Sequence, residues 1–245
     1  MEKLIAGTKK LGLLLNSAQL EQFHIYYQEL ISWNRRMNLT TITRYKDVQI
    51  KHFLDALTVT LAYQPFIINA GFRIVDVGTG AGIPGIPINI VFPNLKLVLL
   101  ESTVKKTAFL YYLKTKLGLD NIEIVAGRAE EIAHMSQYRE KFDLVLSRGV
   151  ASLPTLVELT LPFCAIGGSF IAQKKGSIQL EVSRAMRSIN LMGGTLWEVK
   201  RVNLTEFDDE RYLIIINKES STPKLYPRRS GIPSKRPLLD KQAKP

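Results

Sequence analysis

Apolar residues in the first quarter of the chain recur at helical spacing. Leu20, Phe23, Tyr27 and Leu30 fall on one helix face, and the Asn16–Ser17 pair ahead of them offers side-chain oxygens that cap first-turn amides. A second helix is predicted from about Asp47 through Ala62, ending before Pro65. From about Phe72 the rhythm changes to short apolar runs separated by helical stretches. Residues 73–77, 95–100, 122–125, 142–146, 168–172, 195–202 and 212–216 read as strands. Helices are predicted to open near Pro84, to span 103–117 with Gly118 as the stop, and to fill 153–163 and 177–191. Strand–helix alternation of this kind predicts an α/β fold, a mostly parallel sheet with helices on both faces.

The end of the chain breaks that alternation. Residues 218–245 carry Pro223, Pro227, Pro233, Pro237 and Pro245 with eight basic and two acidic residues, a net +6 of the +11 borne by all 245 residues. Such a segment cannot build a core and is expected to be extended or disordered alone. It reads as a solubilising terminus or, preferably, as a phosphate-binding arm. Three regions follow: a helical extension over 1–65, an α/β region over 66–217 and the basic, proline-rich tail over 218–245. The positive balance itself favours a polyanionic partner through counterion release.

Composition narrows the chemistry. Cys164 is the only cysteine, which excludes an intramolecular disulfide and a cysteine zinc cluster. His24, His52 and His134 lie far apart without ligand spacing, so no metal is expected. No segment approaches the roughly 18 consecutive apolar residues that span a bilayer. A soluble protein of a reducing compartment is the expectation.

The candidate chemistry sits at strand ends. Val75-Asp76-Val77 is followed by Gly78, Gly80 and Gly82, then by Ile83-Pro84. Glycines at a strand-to-helix turn let main chain approach a ligand closely, although a purely structural turn is the simpler alternative. The spacing is tighter than G-x-G-x-x-G, and Pro84 suits a first helical turn, so a nicotinamide dehydrogenase fits poorly. Glu101 ends the second strand, where a carboxylate can accept from both ribose hydroxyls of an adenosyl group; an acid favoured by the helix dipole is the alternative. Ser102-Thr103 would cap the next helix and lay their amides along the adenine edge. Ala129-Glu130 would flank the adenine from the third strand. Arg148, at the end of the 142–146 strand, would join cofactor and substrate; its bland role is an ion pair with Asp76 or Glu130. Lys174 reads equally as a phosphate ligand or a solvated lysine. Trp33 reads more readily as an anchor for the N-terminal helices than as a platform for RNA.

Read together, these stretches resemble the RsmG family, the 16S ribosomal RNA guanine-N7 methyltransferases also called glucose-inhibited division protein B. The matching residues are Trp33-Asn34 with Asn38-Leu39-Thr40, His52-Phe53-Leu54-Asp55, Asp76 through Pro87, Arg128-Ala129-Glu130, Arg148-Gly149-Val150-Ala151, Lys174, Glu210-Arg211 and the run Tyr226 through Pro233. Ala56, Ser147, Gly149, Gln173 and Lys175 depart from the family pattern. The resemblance implies a Rossmann-like methyltransferase with a mostly parallel seven-stranded sheet and an N-terminal helical extension. It implies S-adenosylmethionine as cofactor, held by Gly78, Gly80, Ile83, Glu101, Ser102, Thr103, Ala129, Glu130 and Arg148. RNA would be positioned by Lys174, Arg211, Arg228, Arg229, Lys235 and Arg236, with 16S ribosomal RNA or the small ribosomal subunit as partner. A cytoplasmic monomer is expected, with no membrane contact and no metal. Guanine N7 carries an exposed lone pair, so methyl transfer would need alignment and no general base. A small-molecule methyltransferase and a non-catalytic RNA-binding relative are the rival readings.

Overall fold

The computed structural model describes residues 1–62 and 71–240. The expected helix stop before Pro65, the 65/66 boundary, and Lys241, Lys244 and Pro245 of the tail lie outside them. Seven strands, β1 (Arg73–Val77), β2 (Lys96–Glu101), β3 (Ile122–Ala126), β4 (Phe142–Arg148), β5 (Cys164–Lys175), β6 (Gly194–Arg201) and β7 (Arg211–Lys218), form one sheet. Their order is β3-β2-β1-β4-β5-β7-β6. The pairs from β3 through β5 are parallel, while β7 runs antiparallel to both β5 and β6. Each strand lies where the apolar runs predict it. β5 is longer at both ends than its apolar stretch, because Cys164 pairs with Phe142 of β4 at its start and its ladder with β7 continues through Lys174 and Lys175 at its end. Backbone pairing does not require apolar side chains.

Strand periodicity of two divides the core into two layers. Ile74, Leu97, Leu99, Leu144, Leu146, Ile171, Leu213 and Ile215 face one cluster; Val75, Val98, Leu100, Val145, Phe170, Ala172, Ile214 and Ile216 face the other. The first face is covered by α1 (Glu2–Lys10), α2 (Ser17–Met37), a helical run over 45–61, α5 (Gly85–Val91) and α6 (Val104–Leu117). That run is α3 (Tyr45–Val48), a π segment (Gln49–Leu54), α4 (Asp55–Leu57) and a 3-10 turn (Thr58–Leu61). It is continuous, as predicted, but not a uniform α-helix. The second face is covered by α7 (Ala129–Ile132), α8 (Leu153–Thr160), α9 (Gln179–Leu191) and the tail.

Asn16 caps α2 in a reciprocal capping box with Gln19, as the sequence suggests. Helix α1 has no such signature: its buried contribution is Leu4, Gly7 and Thr8, too sparse a stripe to read in advance. Gly7 is required there because a Cβ would fall 2.3 Å from a methyl of Leu54. Trp33 packs its ring against Phe109 and Tyr112 of α6, centroids 5.5 and 5.1 Å away, so it anchors α2 to that helix.

Contrary to expectation, the tail through Asp240 is not a loose arm. It carries one short helix, α10 (Ile232–Lys235), and otherwise lies as irregular chain against α7 and α8. Buried Lys218 donates to the Met192 carbonyl (2.7 Å) and to Thr222 Oγ1. Arg139 donates to the carbonyls of Thr222 (2.8 Å) and Tyr226 (3.0 Å), and Thr155 Oγ1 donates to that of Pro233. Arg228 grips fully buried Glu158 with two parallel bonds of 2.9 and 2.7 Å, while its own amide donates to the same carboxylate. The tail needs no core of its own because the sheet's second face supplies one.

Candidate functional site

The strand order reverses between β1 and β4, and in open α/β sheets a crevice outside the strands' carboxyl ends forms at such a point. The turn after β1 forms its floor. Gly78 and Thr79 donate their amides to the Leu100 carbonyl (2.9 and 3.1 Å), which ties the loop to β2. The three glycines serve different ends. A Cβ at Gly78 would fall 2.5 Å from Val150, and one at Gly82 would fall 2.5 Å from Ile86, so both satisfy internal packing. Gly80 has φ +62 and open space where a Cβ would point. Of the three, Gly80 is the one whose bare main chain faces free volume. Tyr26, buried in α2, donates to the Ala81 carbonyl at 2.6 Å and fixes the loop from beneath. Nothing in the local sequence pattern marks Tyr26 for this.

Two carboxylates border the loop. Glu101 is 5% exposed; Oε2 accepts from Gly80 N (2.9 Å) and Oε1 from Thr103 N (2.8 Å). Each oxygen retains acceptor capacity, since a carboxylate oxygen has two lone pairs. Thr103 opens α6 without a side-chain cap, and it and Ser102 are exposed at the rim. Asp76, wholly buried, accepts through Oδ2 from Thr79 Oγ1 (2.6 Å) and Gly85 N (2.9 Å). Its Oδ1 has no partner among the described residues. Burial raises its pKa to about 6, against the lowering effect of those two bonds and of Arg148. Ile83, by contrast, is 5% exposed and belongs to the core below the loop.

After β3, Ala129 and Glu130 open α7; of its first-turn amides, that of Glu131 donates to the Arg128 carbonyl (3.0 Å) and that of Glu130 to its own carboxylate, which leaves the Ala129 amide without an intrahelical acceptor. The Glu130 carboxylate, expected at the adenine edge, is 4% exposed and already bonded: Oε1 accepts from Gly231 N (2.9 Å) and Arg128 Nη2 (3.0 Å). It fastens the tail to the loop. Long-range contact with Gly231 is invisible to local sequence reasoning.

Arg148 pairs with neither Asp76 nor Glu130. Its Nη1 donates to Asp55 Oδ2 (2.7 Å) and to the Lys51 carbonyl (2.9 Å), and its Nη2 to His52 Nδ1 (3.2 Å). Nδ1 of His52 also lies 3.1 Å from the Lys51 carbonyl, and Nε2 is hydrogen-bonded with Thr40 Oγ1 (2.8 Å). Burial and the Arg148 charge lower the His52 pKa to about 3, so the ring is neutral at physiological pH. Arg211 joins the same cluster, donating to Asp55 Oδ2 (3.3 Å) and Asp209 Oδ1 (2.6 Å) with its guanidinium over the Phe207 ring. Lys174, grouped with Arg211 by sequence, lies on the opposite face. There it donates to the Ala151 carbonyl (2.7 Å) and to Glu181 (2.6 Å), and is neither solvated nor free. In the tail Arg228 is committed to Glu158, whereas Arg229, Lys235 and Arg236 are exposed. Asp55 was marked in the sequence only as part of a matching stretch; its role as a shared counter-ion comes from the structure.

The antiparallel β7 between β5 and β6, the β1/β4 crevice and the glycine turn bounded by acids make this the Rossmann-like fold of S-adenosylmethionine-dependent methyltransferases. Among families, the rRNA small subunit methyltransferase G description matches residues 19–210, and the chain belongs to that family. A relative from Dehalococcoides mccartyi, described as ribosomal RNA small subunit methyltransferase G, is 52% identical over 239 residues, covering 98% of this chain and 100% of its own. One of the same description from Lachnoclostridium phytofermentans is 47% identical, covering 97% of each chain. Solved structures share the fold at low identity. A mutant of MtNAS in complex with S-adenosylmethionine matches with TM-score 0.53 and 14% identity, over 83% of this chain and 72% of that one. A 16S rRNA (adenine(1408)-N(1))-methyltransferase from Catenulisporales acidiphilia matches with TM-score 0.51 and 14% identity, over 63% of this chain and 88% of that one. The cyclase SpnF matches equally well (TM-score 0.52, 12% identity, 69% and 82% covered), so the fold alone does not set the reaction.

Proposed function

We propose that this chain methylates N7 of a guanine in 16S ribosomal RNA, using S-adenosylmethionine held in the β1/β4 crevice. The observation that carries the reading is the make-up of that crevice in a member of this family: open space above Gly80, an unpartnered buried oxygen on Asp76 and the carboxylate of Glu101. These residues fit a cationic nucleoside. Asp76 Oδ1 suits the ammonium group of the methionine moiety, Glu101 retains lone pairs for the ribose hydroxyls, and the Ala129 amide at the start of α7 suits the base edge. When bound, S-adenosylmethionine supplies an electrophilic methyl group on a sulfonium.

The chain's own work is alignment. Guanine N7 presents a lone pair and loses no proton, so no side chain must act as base. Neutral His52 is engaged on both ring nitrogens and serves as a fixed support for Arg148. Arg148, at the end of β4 beside the glycine turn, is the guanidinium that faces cofactor and guanine. Arg211 contributes positive charge on the RNA side, and exposed Arg229, Lys235 and Arg236 extend it. Direct in-line transfer then depends on geometry, to which positioning can contribute several kcal/mol.

The test is methylation of 16S ribosomal RNA or small subunits by the purified chain with labelled S-adenosylmethionine, followed by mapping of the product nucleotide. N7-methylguanosine at one site is the expected result; label on another atom, or none, refutes it. Deleting 218–245 is not an informative control, because the deletion removes the partners of Glu130 and Glu158.

A further inference from the structure

We infer that Asp55 is a positioning residue for methyl transfer: it holds Arg148 and Arg211 at a set separation without touching cofactor or RNA itself. The inference rests on the proposed reaction. Residues 144, 146 and 148 of β4 alternate onto one face of the sheet, and so do 171 and 173 of β5 and 211, 213 and 215 of β7. Arg148 pairs in register with Gln173, and Gln173 with Leu213, so Arg148, Gln173 and Arg211 are gathered on the face that carries the helical run over 45–61. Asp55 comes down on them from α4, 3% exposed. Its Oδ2 accepts from Nη1 of both Arg148 (2.7 Å) and Arg211 (3.3 Å).

The main chain of Asp55 that carries the carboxylate is itself braced. Its backbone carbonyl accepts from Gln173 Nε2 (2.6 Å) and from Thr58 Oγ1 (2.6 Å), and Gln173 Nε2 also reaches Thr58 Oγ1 (3.2 Å). The arginines have further partners: the Lys51 carbonyl and neutral His52 for Arg148, and Asp209 with Phe207 for Arg211. Asp55 is the group they share. Two guanidiniums brought this close repel, and a single buried anion between them converts repulsion into a fixed spacing. Residual charge on their outer nitrogens then points where cofactor and RNA meet, and displacement of about 1 Å at such a place can cost about 100-fold in rate.

The experiment compares wild type, Asp55→Asn and Gln173→Leu as full chains, measuring total methyl incorporation into 16S ribosomal RNA at any atom. S-adenosylmethionine affinity is measured without RNA, and the folded fraction by thermal melting. Asp55→Asn keeps the shape and removes the charge. Turnover per folded molecule is expected to fall by about 100-fold, mainly in kcat, with cofactor affinity within about threefold of wild type. Gln173→Leu keeps the charge and removes its brace, and about a tenfold fall is expected. Turnover per folded molecule within threefold of wild type for both variants would overturn the inference, as would a loss that follows cofactor affinity alone. Counting all incorporated methyl groups separates the two claims: a wild-type product other than N7-methylguanosine defeats the nucleotide assignment and leaves the Asp55 comparison readable. Absence of any transfer by wild type defeats both.

Discussion

The turn after β1 and the C-terminal tail are both glycine- or proline-punctuated segments that looked like ligand-binding elements in the sequence. The turn is held mostly from nearby in sequence, by Asp76, the Leu100 carbonyl and Glu101 with Tyr26 as the distant exception, and Gly80 still fronts open space. The tail is held from farther along the chain. Arg228 is held by Glu158, Gly231 by Glu130, and the carbonyls of Tyr226 and Pro227 by Arg139 and His134. A count of positive charges measures what a segment could offer to phosphate; the acids it meets on folding decide what remains. Lys224, Arg229, Lys235 and Arg236 are what remains exposed among the described residues.

That contrast can be broken in four places, taken from the largest expected effect down. Arg228→Ala leaves fully buried Glu158 without its ion pair, which is expected to cost about 3–5 kcal/mol and lower Tm by roughly 10 °C. Unchanged calorimetric stability with weaker RNA binding would return Arg228 to the role of a phosphate ligand. Glu101→Ala removes the acceptor proposed for the ribose and the anchor of Gly80. Two charge-assisted bonds of about 1.5 kcal/mol each correspond to about 100-fold weaker S-adenosylmethionine binding by equilibrium dialysis.

A pH profile of cofactor affinity tests Asp76. Its pKa is raised to about 6, so below that pH it is protonated and loses the charge proposed to face an ammonium group. Affinity should therefore be complete above pH 6 and fall by up to about tenfold per unit below it; in Asp76→Asn the profile should flatten. The smallest effect belongs to the exposed tail cations. Arg229→Ala combined with Lys235→Ala should leave melting unchanged, weaken RNA binding a few-fold, and reduce the slope of log affinity against log salt by about 0.7–0.9 per residue.

Short apolar runs between helical stretches placed all seven strands and their carboxyl ends, because a run of apolar residues bounded by turn signals is a local property of the chain. Asp76, Gly80 and Glu101 were legible for the same reason: each is defined by its position relative to a strand it follows or ends. Tertiary structure alone decided the partners of the charges. Register put Arg148, Gln173 and Arg211 on one face and Lys174 on the other, and the packing of α4 brought Asp55 to the first group. It likewise turned a tail with no core of its own into part of the second layer. Ion pairs between residues 70 to 156 positions apart, such as Glu158 with Arg228 and Asp55 with Arg211, leave no trace in local pattern, since their energy exists only once the sheet has brought them together.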